Sequence, residues 1–153
     1  MSAKKKIKKI NLALQGGGAH GAFTWGVLDR ILEDDRIEVE AISGTSAGAI
    51  NAVAVADGMV LGGSEAARQK LHDLWYATSV AGYMSPIQRC PFDRLFGRWS
   101  LDTSPSYLMF DLATRMFSPY EFNPLDINPL RLLIEQQIDF ERVHACHELQ
   151  LFI

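Results

Sequence analysis

Two glycine-rich segments, each set between an apolar run and a helical pattern, constrain this chain more than any other feature. They are Gly16-Gly17-Gly18-Ala19-His20-Gly21 and Gly44-Thr45-Ser46-Ala47-Gly48. Ahead of the first, residues 7–15 carry Ile7, Ile10, Leu12, Ala13 and Leu14 and read as a buried strand stopped by glycine. Behind it, Phe23, Val27, Leu28, Ile31 and Leu32 recur near helical period, which predicts a helix over 22–33. Residues 37–43 read as a second short strand. Residues 47–56 read as an Ala/Val/Ile-rich helix ending near Asp57-Gly58. The Gly62-Gly63 pair then reads as a loop, with Ser64 and Glu65 opening a helix to about Tyr76. Strand, helix, strand, helix in this order predicts a parallel sheet covered by helices.

The texture changes over 79–129. All six prolines lie there (Pro86, Pro91, Pro105, Pro119, Pro124 and Pro129), and 11 of the 15 aromatic residues lie between Trp75 and Phe122. This segment reads as a lid-like insertion of irregular loops around one helix over 106–117, with Asn-Pro turns at 123–124 and 128–129. Residues 130–138 read as a further helix, and 149–153 as a third strand. An apolar strand with no turn after it makes 1–153 read as the N-terminal part of a single domain, truncated after its third strand. A composition 48% hydrophobic and 22% charged excludes disordered and collagen-like chains.

Charge narrows the partners. Lys4, Lys5, Lys6, Lys8 and Lys9 put +5 at the start of a chain whose net charge is −3, so the remainder carries −8. An acidic body repels phosphates, which excludes nucleic acid as a partner. The lysines read as a solvated leader, or as weak attraction to anionic headgroups at about 1 kcal/mol per residue. The run Ile10 to Leu14 is interrupted by Gln15, three glycines and His20, too soon for a signal peptide. The uncharged stretch 41–56 is shorter than the roughly 20 residues of a membrane span. Cys90 and Cys146 are far apart, which excludes a disulfide framework and points to a reduced, cytoplasmic compartment.

The second glycine segment is a G-x-S-x-G between a strand and a helix, the context of a nucleophile elbow built from Gly44, Thr45, Ser46, Ala47 and Gly48. The first places side-chain-free backbone at a helix start, where N–H groups and the helix dipole favour an anion. Beside a serine nucleophile it would serve as an oxyanion hole. Gly16, Gly18 and Gly21 also satisfy the dinucleotide pattern G-x-G-x-x-G. That alternative expects an acid closing the second strand, whereas Glu40 falls inside it, so we set it aside. His20 either lines the substrate or merely opens the helix, and His72 reads as a surface residue. His144, Cys146, His147 and Glu148 have no second ligand cluster and no H-E-x-x-H order, so no metal is expected.

The run Leu12-Ala13-Leu14-Gln15-Gly16-Gly17-Gly18-Ala19-His20-Gly21-Ala22-Phe23, followed by Gly44-Thr45-Ser46-Ala47-Gly48, resembles bacterial patatin-like phospholipases. The resemblance implies a three-layer α/β/α sandwich with a mostly parallel sheet. It also implies lipid acyl hydrolysis, of the phospholipase or lysophospholipase kind, by a Ser–Asp dyad with no cofactor. Ser46 would be the nucleophile, and Gly16, Gly17, Gly18 and Gly21 the oxyanion loop. Gln15 and His20 depart from the Asp and Arg of many relatives. The family's catalytic Asp lies in a D-G-G or D-G-A motif absent from this chain. Asp57-Gly58 is followed by Met59, and eleven helical residues would hold Asp57 roughly 16 Å from Ser46. The base is therefore expected beyond residue 153. A phospholipid or other lipid ester is the expected substrate, met in the cytoplasm by peripheral membrane contact, with the aromatic insertion as either a lid or loops packed on the domain. An acyltransferase using the same serine, or a non-catalytic lipid- or partner-binding module, are the alternatives. Oligomeric state has no signal in this sequence.

Overall fold

A computed structural model describes residues 7–83, 109, 112 and 128–153. In chain order these form strand β1 (Lys8–Leu14), a 3₁₀ turn (Gly18–His20), helix α1 (Gly21–Glu33), strand β2 (Ile37–Gly44), helix α2 (Ala47–Tyr83), helix α3 (Pro129–Gln137), helix α4 (Phe140–His144) and strand β3 (Gln150–Phe152). The strands lie in the order β1-β2-β3, and both pairings are parallel. This is the α/β architecture expected from the alternation of strands and helices.

Parallel register fixes the position of the glycine segments. Leu14 at the end of β1 pairs with Gly44 at the end of β2, so both turns leave the sheet at one edge. The register shifts between Ile10 and Asn11, where Val39 is followed by Ala41 in the pairing and Glu40 is left over as a bulge. Lys9 Nζ reaches Glu38 Oε1 at 3.1 Å and Glu40 Oε1 at 2.7 Å. Glu40 therefore sits inside β2 on a lysine, not at the strand end where a ribose would need it. β1 is less enclosed than its apolar residues suggest: exposed and half-buried positions alternate along it, and Ile7, just before it, is 53% exposed. Among the described residues β1 pairs on one side only, and Leu12 and Leu14 pack against the core.

The helix after the elbow does not stop at Asp57-Gly58. It continues to a break at Gly62 and Gly63, where φ is 76° at Gly63, and then resumes to Tyr83. Gly58 is a contact between the two halves of α2. A Cβ there would lie 2.2 Å from Ala67 Cα and 2.5 Å from Ala67 N, so only glycine permits this approach. Asp57 is fully buried. Its Oδ1 accepts from Arg142 Nε, and its Oδ2 takes Lys70 Nζ at 2.9 Å and the Asp139 N–H at 3.3 Å. Burial alone would raise its pKa, but the Arg142 and Lys70 cations and the Asp139 N–H hold the carboxyl below its ordinary value.

The core gathers Leu28 of α1, Ile42 of β2, Val55, Leu71 and Leu74 of α2, and Ile138 and Leu149. By length and composition α2 is apolar enough to cross a membrane, yet residues 51–58 are all buried in the protein's own interior. α4 has no counterpart in the sequence reading. Asp139 caps it by accepting the N–H groups of Glu141 at 3.0 Å and Arg142 at 3.1 Å. Met1–Ala77 and Leu130–Ile153 make one compact unit, and Thr78–Pro129 a second. The expected lid-like insertion over 79–129 and its helix over 106–117 fall almost wholly outside the described residues, although Met109 and Leu112 are helical.

Candidate active site

At the sheet edge, the Leu14 carbonyl accepts the Thr45 N–H at 3.2 Å, which carries the ladder one residue into the second turn. Ser46 follows with φ 54°, the only positive φ outside glycine among the described residues. That conformation costs an L-residue about 1–2 kcal/mol and persists only where the surroundings enforce it. They do so through close approach. A Cβ on Gly44 would lie 2.7 Å from the Gly48 carbonyl, and one on Gly48 would lie 2.3 Å from the Leu14 oxygen. Gly44 thus lets the first turn of α2 fold back on the end of β2, and Gly48 lets it rest on the end of β1. The Ser46 carbonyl accepts the Ile50 N–H at 3.0 Å, so the serine stands at the positive end of α2.

The first glycine segment meets this turn. A Cβ on Gly16 would lie 3.0 Å from both Ser46 Cβ and the Thr45 oxygen. Gly17 (φ 150°) and Gly18 (φ 55°) adopt conformations that side chains disfavour. The Gly17 carbonyl accepts the His20 N–H at 3.1 Å, and His20 Nδ1 lies 3.0 Å from it. A carbonyl only accepts, so Nδ1 carries the proton in that bond. His20, exposed to solvent, closes the loop on itself. Gly21 starts α1 against Ala47: a Cβ there would lie 2.8 Å from Ala47 Cβ and 2.8 Å from the Trp75 ring. The fold therefore gathers Gly16, Gly21, Ser46 and Ala47 from segments about 30 residues apart.

An open cleft of about 400 Å³ lies at the carboxyl ends of the three strands, with Leu14, Gln15, Gly44, Thr45, Phe152 and Ile153 on its walls. Ligands of open parallel sheets bind at this edge. A cavity of about 420 Å³ beside the N-terminal end of β2, lined by Ile31, Ile37, Val39, Val55, Met59 and Leu149, touches neither glycine turn. Asp57 has both oxygens on Arg142 and Lys70, in keeping with its rejection as a base. Among the described residues no three His, Cys, Asp or Glu side chains converge as a metal site would need.

Two residues near the turns escaped the sequence reading. Asn51 Nδ2 donates to the Gly21 carbonyl at 3.0 Å, and Trp75 Nε1 donates to Asn51 Oδ1 at 2.8 Å. The available signal was a single amide in the otherwise apolar helix pattern 47–56, because a buried amide needs partners.

No curated protein and no solved structure matches the chain significantly. The family model for patatin-like phospholipases matches residues 12–149. That span takes in both glycine turns, the end of β1, the whole of β2 and the helices that follow, and stops one residue before β3. The chain belongs to the patatin-like phospholipase family, a family of lipid hydrolases.

Proposed function

We propose that this domain hydrolyses lipid esters through an acyl-enzyme on Ser46, with a phospholipid or lysophospholipid as substrate. The observation that carries the reading is the strained serine, φ 54°, held in contact with Gly16 at the start of a helix. Ser46 Oγ attacks the ester carbonyl carbon as its proton passes to a base, the aspartate that the family resemblance supplies from outside residues 1–153. The carbonyl oxygen becomes an oxyanion, which N–H groups of the Gly16–Gly18 loop stabilise. Collapse expels the alcohol, protonated from the same base. Water, activated by that base, then releases the fatty acid and restores Ser46. The cytoplasmic face of a membrane is the proposed place of work, supported by the lysines at 4–9.

A fluorophosphonate probe tests the nucleophile directly. In the full-length protein, peptide mapping is expected to find the adduct on Ser46, and heat-unfolded protein is expected to remain unlabelled. An adduct on another serine, or equal labelling of the unfolded chain, would sink the assignment.

Gly17→Ala tests the loop. It is expected to lower kcat roughly 10²–10³-fold, equivalent to about 2.7–4 kcal/mol, with KM little changed, because the donors act mainly on the transition state. Since alanine is strained at φ 150°, kcat is to be normalised to the fraction of protein titrated by the probe. Native kcat per titrated site would remove the loop from the mechanism.

A further inference from the structure

We propose that Asn51 and Trp75 act as a positioning pair that holds the oxyanion loop at its working distance from Ser46. The inference rests on the assignment of Ser46 and the Gly16–Gly18 loop given above. Its physical basis is that every group in the chain Trp75–Asn51–Gly21 can play only one part. An indole N–H donates and cannot accept, and a backbone carbonyl accepts and cannot donate. Trp75 Nε1 at 2.8 Å therefore demands the oxygen of the Asn51 amide. Only the Asn51 nitrogen then faces the Gly21 carbonyl, at 3.0 Å. The amide has no second orientation that keeps both bonds. Asn51 is fully buried, so losing either bond would leave a polar group without water to replace it.

The location of the pair turns this rigidity toward the site. Asn51 lies five residues after Ser46 on α2, and Gly21 lies three residues after Gly18, at the first turn of α1. One side chain thus ties the helix that carries the nucleophile to the helix that anchors the loop. Trp75 comes from the far half of α2, past the Gly62–Gly63 break, and adds steric contact. Its Cη2 and Cζ2 would lie 2.8 Å from a Cβ on Gly21, so the ring closes on the bare α-carbon while its N–H orients the amide. The donors of an oxyanion hole act only when aimed within tenths of an ångström of the developing charge. A clamp on Gly21 limits how far that loop can drift from Ser46. Neither residue touches the reacting atoms in this arrangement. Both act through Gly21.

Two changes in the full-length protein test the pair. In the first, Trp75 is replaced site-specifically by benzothienylalanine, which keeps the bicyclic shape and exchanges the N–H for sulfur. The second, Asn51→Asp, keeps the acceptor for Trp75 and turns the donor aimed at Gly21 into an acceptor. The readouts are KM and kcat for a p-nitrophenyl ester, with kcat expressed per Ser46 titrated by a fluorophosphonate. We expect kcat per titrated site to fall at least tenfold in Asn51→Asp and at least threefold in the Trp75 replacement, with KM within twofold of native. A purely structural role predicts fewer titratable sites and native kcat at each of them, and that result overturns the pair. If Asn51→Asp does not fold, the nearly isosteric Trp75 replacement decides alone. A native protein that neither labels at Ser46 nor loses activity in Ser46→Ala overturns the underlying assignment. An active native protein with both variants unchanged overturns only the pair.

Discussion

Ser46→Gly is expected to make the protein more stable and inactive at once. Removing a serine nucleophile costs a hydrolase of this kind roughly 10⁶ in kcat. Stability moves the other way because Ser46 sits at φ 54°. Glycine adopts that angle freely and releases about 1–2 kcal/mol of strain. Against this stands about 0.5–1 kcal/mol for the extra freedom of glycine in the unfolded chain. A net gain of up to about 1.5 kcal/mol remains, readable by urea unfolding beside an ester assay. A variant that loses stability would show that the elbow is not strained, and one that retains turnover would show that Ser46 is not the nucleophile.

The second large effect is structural. Asp57→Ala removes the carboxylate on which Arg142, Lys70 and the Asp139 N–H converge, and so unfastens the two halves of α2 from the start of α4. Breaking a buried ion pair by deleting one partner typically costs about 3–5 kcal/mol. Lys70 and Arg142 keep 21% and 34% of their side chains exposed and can regain some hydration, so the lower end of that range, about 3 kcal/mol, is expected. The carboxyl also imposes a pH dependence. Its folded pKa lies below the ordinary 3.8. The stability it contributes is complete above that value and is lost as pH falls through the depressed folded value. Acid unfolding followed by circular dichroism should show this limb in the native protein and a weaker one in Asp57→Asn. Identical acid limbs would remove Asp57 from the account.

The sequence made the site more legible than its supports. The two turns, the strands before them and the helices after them depend on neighbours within a few residues, so glycine and apolar spacing exposed them. Partners distant in the chain left weaker traces. Asp57-Gly58 looked like a helix end because both residue types are common there. What keeps the helix going is Ala67 against Gly58 and Arg142, 85 residues on, against Asp57. Asn51 likewise became readable only once Gly21 and Trp75 were seen beside it. The exposure of β1 depends on how many strands flank it, which no local pattern encodes. α4 was a local signal overlooked, since Asp139 is a good cap.

Asp57 has one more effect, on the solvent that α2 enters. The first half of α2 is a nearly uninterrupted apolar helix, and by length and composition α2 could pass into a bilayer. The family's substrates are lipids, and an acyl-chain phase would accept a segment this apolar. Near the centre of a spanning helix, an aspartate opposes insertion by about 2.5–3.5 kcal/mol. Within the folded domain the same charge meets Arg142 and Lys70 and is stabilised there. One carboxylate therefore sorts two destinations for one helix, penalising the membrane interior and favouring the protein's own.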